Sequence, residues 1–303
     1  MNHPPLAPVI SVADFDALHD DPAAWRGVIE SLAAEHGGGP VVQISEGTVL
    51  VALIGAQRVI KLYPPFLRDP FAFERAALAR LGGRLCVPTP QLVATGERDG
   101  WPYLVMTQLS GEPLTAVWPT LGEAAKCALL ASLGTLAAEV HALPVGELAA
   151  LAPRWDDFVI AQRSRCQARQ QRTGLPAHLL AQLDPFLQGP LPQGPGVILT
   201  GEYTPMNLLA RDGRLCGMYD FGDGMVGPRE YDLLGPLCFL GAGHASRCRA
   251  FLDGYGGDLD TSHREGWLRL LLLHRYSNLP AQIAYPGWQD ARSFENLARR
   301  IWP

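Results

Sequence analysis

The stretch VILTGEYTPMNLLARDGRLCGMYDFGD, residues 197–223, restricts the fold more than any other part of the chain. An apolar run of strand length leads into a polar loop that carries Glu202 and Asn207. Apolar runs on either side of the turn RDG then read as a hairpin, which brings the chain back to present Asp220. Three oxygen-bearing side chains thus converge on one place.

The segments upstream predict a sheet. PAAWRGVIESLAAEHGGG sets Trp25, Val28, Ile29 and Leu32 at helical spacing and ends in glycines, so an amphipathic helix leads in after a polar start. PVVQIS, VLVALI and RVIKLY follow as three antiparallel strands joined by SEGT and GAQ. PFAFERAALARLGG reads as one helix, and QLVAT and PYLVMTQL, separated by GERDG, add two more strands. Beyond about residue 110 the pattern turns helical. EAAKCALLASLGTLAAEVHAL repeats apolar residues at Leu129, Leu130, Leu133, Leu136, Ala137 and Val140, and further helices are expected over 156–172, 177–187, 230–254 and 261–283. The expected class is α+β: a five-stranded antiparallel sheet with a leading helix in residues 1–108, and a mostly helical portion in 109–303.

Composition narrows the partners. The 303 residues are 48% hydrophobic, enough to bury a full core. A net charge of −5 gives no basic field for nucleic acid, whereas a cationic small molecule is compatible. The six cysteines form no CxxC pair, and no histidine is spaced with them for zinc. LRLLLLH is far short of a membrane span and the N-terminus lacks a basic, apolar leader, so a soluble protein of the reducing cytoplasm, monomer or homodimer, is expected.

Glu202, Asn207 and Asp220 are the set that phosphoryl transfer requires. Mg²⁺ prefers oxygen ligands, and the attacking hydroxyl needs a carboxylate to orient it and accept its proton. With these residues in view, the chain resembles the aminoglycoside phosphotransferase family, small-molecule kinases of protein-kinase-like bilobal fold that include hygromycin-type antibiotic phosphotransferases. The family's loop reads H-x-D-x-x-x-x-N, a spacing filled here by Thr200, Glu202 and Asn207, and its downstream metal Asp matches Asp220 in YDFGD. Asp232 in GPREYDL resembles the family's segment that braces the loop, HALP at 141–144 its helix end, and PYLVMTQLSGEPL its linker.

The resemblance implies ATP and Mg²⁺ as cofactors, with Asn207 and Asp220 on the metal. It implies that Lys61 binds the α- and β-phosphates and that Glu74 is its ion-pair partner. Ser45, Gly47 and Thr48 in ISEGTVL would cover the phosphates. Adenine would meet the backbone around Thr107, Gln108 and Leu109, with Met106 behind it, between the lobes. The acceptor would be a small-molecule hydroxyl, with an aminoglycoside-like antibiotic favoured.

Two residues depart from the pattern. Glu202 stands where the resemblance calls for Asp, and Thr200 where it calls for His. Either the loop absorbs the extra methylene, about 1.5 Å of reach, and the enzyme is active, or the carboxylate misses its geometry and the protein is a nucleotide-binding pseudokinase. A protein kinase is a third reading, from the DFG at 220–222, but GPREYDLL follows too soon for a long activation segment and no APE occurs. Asp156, Asp157, Asp223, Asp253, Asp258 and Asp260 could hold a cationic acceptor or be caps and solvated loop. Trp155, Tyr203 and Trp267 could line the pocket or be core. RSRCQARQQR reads mostly as a solvated face, and His244, His263 and His274 as surface or capping residues.

Overall fold

The computed structural model describes residues 5–45, 48–55, 57–201, 203–256 and 261–303. Two compact units divide the chain. The first runs to Arg84 and resumes over Pro88–Ser110; the second takes Leu85–Val87 and Gly111–Pro303.

In the first unit β1 (Val41–Ser45), β2 (Leu50–Ile54), β3 (Arg58–Leu62), β4 (Leu92–Arg98) and β5 (Trp101–Thr107) form an antiparallel sheet of order β1-β2-β3-β5-β4. The β4–β5 hairpin turns on Asp99 and Gly100, both at positive φ (53° and 83°), as a two-residue turn matched to strand twist requires. Alternation along the strands sorts the two faces. Leu50, Ala52, Ile54, Ile60 and Leu62 bury against α1 (Val12–His19) and α2 (Pro22–Glu35), through Phe15, Leu18, Trp25, Ile29 and Leu32. Lys61, between Ile60 and Leu62, therefore lies on the other face. The helix α3 (Arg68–Leu81) follows β3.

Helix α1 falls where the sequence reading expected only a polar start. Its signal is a capping box, in which Ser11 Oγ accepts from the Asp14 N–H (3.2 Å) and Asp14 accepts from the Ser11 N–H (3.0 Å).

The second unit opens with β6 (Glu112–Pro113), α4 (Leu114–Val117) and the long α5 (Glu123–Ala142), whose six expected apolar positions are all buried. Then come α6 (Leu148–Leu151), α7 (Trp155–Arg172), α8 (Ala177–Leu180) and α9 (Leu183–Leu187). The strands β7 (Val197–Leu199), β8 (Leu208–Arg211), β9 (Arg214–Met218) and β10 (Met225–Gly227) surround the expected loop. β7 pairs with β10, while β8 and β9 form a hairpin on Asp212 and Gly213, again both at positive φ. The chain ends with α10 (Glu230–Phe239), α11 (Ala245–Tyr255), α12 (Arg264–Leu273), α13 (Leu279–Gln282) and α14 (Phe294–Ile301), the last without a counterpart in the sequence reading.

Three helices expected as single pieces are broken. The span 177–187 divides into α8 and α9. The span 230–254 divides at Leu240–His244, where Gly243 sits at φ 76° with the Tyr285 ring in the space a Cβ would need. The span 261–283 divides where Asn278 caps α13, with Pro280 in its first turn.

RSRCQARQQR is also only partly a solvated face. Arg169 and Gln170 are buried, and each donates to the Leu272 carbonyl, at 3.0 and 3.2 Å, satisfying the C-terminal end of α12.

Candidate functional site

In the first unit the ion pair expected from the sequence is formed. Lys61 Nζ donates to Glu74 Oε1 (2.7 Å) and Oε2 (3.0 Å), and both side chains are buried. Tyr63, two residues along from Lys61, donates its hydroxyl to Glu74 Oε2. A buried carboxylate is tolerated when it is paired and hydrogen-bonded, and here strand and helix share that task. The sequence reading missed Tyr63, although i, i+2 spacing sets it on the same face of the strand as Lys61.

The expected adenine-facing backbone is only partly free for that role. The Thr107 N–H already donates to the Gln91 carbonyl and the Gln108 N–H to the Gln57 carbonyl, both at 2.9 Å. Leu109 is half-buried beyond them, and Met106 is buried. Thr48 is exposed just before β2. The expectations for Gly47 and Glu202 lie outside the described residues, as does that for the Ser45 side chain.

In the second unit the β8–β9 hairpin sets Asn207 beside Tyr219, whose N–H donates to the Asn207 carbonyl at 3.1 Å. Asp220 comes next, with left-handed backbone (φ 70°), a conformation that Asp adopts more readily than most residues. Phe221 behind it is fully buried.

The start of the loop is held from below. Asp232, buried in the first turn of α10, accepts from the Thr200 N–H (2.9 Å), the Thr200 hydroxyl (3.2 Å) and the Gly201 N–H (2.7 Å). His141 Nε2 lies 3.3 Å from the same carboxylate, and its Nδ1 lies 2.9 Å from the Tyr255 hydroxyl. Thr200, which replaces a histidine of the family pattern, thus still ties the loop to its brace.

Of the candidate acids, Asp156, Asp157 and Asp253 are exposed, and Asp258 and Asp260 lie outside the described residues. Asp223 adjoins the loop, since a Cβ on Gly201 would stand 3.2 Å from its carbonyl. Its carboxylate is engaged: Arg275 Nη1 donates to it at 2.9 Å and the Tyr276 hydroxyl at 3.0 Å. Burial alone would pull the Arg275 guanidinium down, and the Asp223 charge overrides this to hold it above its ordinary range. Tyr203 and Trp267 are core residues, while Trp155 is half-buried against Phe158 and Tyr231.

His274, taken from sequence as a surface or capping residue, is the C-cap of α12 and is stacked on Tyr231, with centroids 4.7 Å apart. Burial first, then the charges of Arg275 and Arg169, push its imidazole down to about 3. The unfolded chain therefore binds the extra proton between about pH 6.5 and 3, and stability falls as pH drops through that window. The limit is about 1.4 kcal/mol per pH unit. His274→Phe, which keeps the stacked ring and does not titrate, is expected to lose less thermal stability than the parent between pH 7 and pH 5; equal losses would assign the effect to other groups.

Among the described residues no helix is long and apolar enough to cross a membrane, and no three His, Cys, Asp or Glu side chains form a metal cluster. No curated protein matches the chain significantly. Solved structures do match. The streptomycin–ATP–APH(2")-IIa ternary complex is 19% identical over 85% of this chain and 93% of that one, with a TM-score of 0.63. Aminoglycoside phosphotransferase APH(3'')-Id from Streptomyces rimosus is 19% identical over 82% and 98%, with a TM-score of 0.61. Macrolide 2'-phosphotransferase MphH from Brachybacterium faecium is 20% identical over 85% and 98%, with a TM-score of 0.58. These likenesses place the chain in the α+β, protein-kinase-like fold class that the sequence reading expected. The profile of the phosphotransferase enzyme family (APH) matches residues 43–273, from the first strand to the end of α12, and a match over that much of the chain makes it a member of that family.

Proposed function

We propose that the protein transfers the γ-phosphoryl group of ATP to a hydroxyl of a small molecule. The observation that supports this most is the buried Lys61–Glu74 pair with Tyr63 on its carboxylate, because phosphoryl transfer by kinases relies on a third-strand lysine held by a glutamate of the following helix. In this reading Lys61 holds the α- and β-phosphates, the Leu109 backbone meets the adenine, and the segment with Ser45, Gly47 and Thr48 covers the phosphates. Glu202 accepts the proton of the attacking hydroxyl, and the Asp232 contacts to Thr200 and Gly201 keep the loop in place for it.

Asn207 and Asp220 would hold Mg²⁺. The fit is good in kind: two oxygen donors lie on adjoining ends of one hairpin, and Mg²⁺ commonly takes one or two protein oxygens together with phosphates and water. When bound, the ion neutralises charge that develops on the transferring group.

An aminoglycoside-like acceptor is the class we favour, as streptomycin and gentamicin are bound in structural neighbours and the carboxylates of Asp156 and Asp157 stand exposed at the start of α7. Resistance to such an antibiotic would be the biological outcome. A cytoplasmic setting is proposed as well, in keeping with six cysteines that form no CxxC pair. For assembly the proposal is a monomer or homodimer.

The test is a Mg·ATP titration followed by a panel of aminoglycosides, choline-like alcohols and sugars with labelled ATP. Asp220→Ala is expected to abolish Mg·ATP binding. Glu202→Ala is expected to retain binding and lose about 100-fold or more in kcat. Undiminished turnover in the Glu202 variant would remove it as the base. Nucleotide binding with no transfer to any acceptor would favour the pseudokinase, which the Glu at position 202 makes the second reading.

A further inference from the structure

A cavity of about 460 Å³ opens within the second unit, where β7 begins and beyond the end of β10, away from the loop that leaves β7 at Thr200. Its apolar wall is formed by Ala138 and Ala142 of α5 with Pro195 and Val197. This size and mixture of lining are those of a small-molecule site. None of the residues proposed for phosphoryl transfer lines it.

Two opposite charges share the lining. The Arg229 guanidinium lies over the Tyr255 ring, 5.8 Å from its centroid, and Arg229 Nε is 3.5 Å from Glu230 Oε1. That distance makes the ion pair a loose one. Glu230 is mostly buried, and its second oxygen, Oε2, has no hydrogen-bond partner among the described residues. That oxygen is sealed from the cavity, so a charged donor would meet the carboxylate at its exposed edge and offset part of the cost of burying it. A ligand with one charge would pair with one member of the dyad and oppose the other. A ligand carrying both signs meets each with its complement.

We propose that this cavity binds a small zwitterion: its carboxylate pairs with Arg229, its ammonium with the Glu230 carboxylate, and its apolar body lies along Ala138, Ala142, Pro195 and Val197. The occupant would touch His141, which also lines the cavity and contacts Asp232, the brace of the loop. The zwitterion would bind whether or not the chain transfers phosphate.

Three probes with the same phenyl body separate the charges: L-phenylalanine, 2-phenylethylamine and 3-phenylpropanoate, titrated calorimetrically into the full chain. L-Phenylalanine is expected to bind about tenfold or more tighter than either singly charged probe, the ratio that one charge-assisted contact supports. Glu230→Gln is expected to erase its advantage over 3-phenylpropanoate, and Arg229→Gln its advantage over 2-phenylethylamine. No binding of L-phenylalanine at millimolar concentration would overturn the proposal. So would equal binding of the three probes by the unmodified chain, a comparison that needs no variant to fold.

Discussion

Asp232→Ala is expected to destabilise the second unit by about 3–5 kcal/mol, because it leaves several buried donors without an acceptor at about 1–3 kcal/mol each. The Thr200 and Gly201 N–H groups would lose their acceptor, and Thr200 is almost fully buried, so bulk water does not reach its N–H to replace the lost bond. Chemistry should suffer too. The loop that these bonds hold carries the proposed base, and a displacement of about 1 Å can cost on the order of 100-fold in rate. Asp232→Asn, which keeps one acceptor oxygen, should fall between the two. Urea unfolding with turnover measured on the same samples checks both effects, and an unchanged midpoint in the Ala variant would show that Asp232 does not carry the loop.

Gly134→Ala should have a comparable effect on stability, and its sign is the informative part. In a free helix the exchange would stabilise by about 1 kcal/mol. Here a Cβ would overlap the Phe251 carbonyl and stand 2.6 Å from the Tyr255 nitrogen, both backbone atoms of α11. Gly254 meets Ala131 of α5 in the same way, and the Thr135 hydroxyl donates to the Gly254 carbonyl at 3.1 Å. The two helices must move apart to admit a methyl group, so we expect a loss of about 3 kcal/mol, the upper part of the range for overpacking. A raised melting temperature would contradict this close approach.

What could be read from the sequence had local causes. The five-stranded sheet and the β8–β9 hairpin were legible because strand alternation and the Asp-Gly turns at 99–100 and 212–213 are short-range signals. The buried face of α5 was legible through its 3.6-residue period. Helix α1 was hidden because its eight residues carry little apolar pattern and its capping box uses Asp in place of Glu. The break after α10 was hidden because apolar residues continue on both sides of it and a tertiary contact, Tyr285 on Gly243, lies where the chain turns, whereas the break after α12 does carry a local signal in Asn278 and Pro280.

The site divides in the same way. Lys61, Glu74, Asn207 and Asp220 sit at spacings set by strand, helix and hairpin. The partners of Asp223 come from more than fifty positions away, at Arg275 and Tyr276, and no local spacing announces them. Asp223, a candidate for binding a cation, is for that reason already neutralised.

The left-handed backbone at Asp220 limits the substitutions open to this chain in evolution. Only glycine, Asn and Asp occupy that conformation at little cost; other side chains add roughly 1–2 kcal/mol. A metal-binding role requires an oxygen donor, which excludes glycine. The two conditions together leave Asp and Asn. Lengthening to Glu, the change from the family pattern found at 202, is therefore closed to position 220 unless the hairpin end is rebuilt with it.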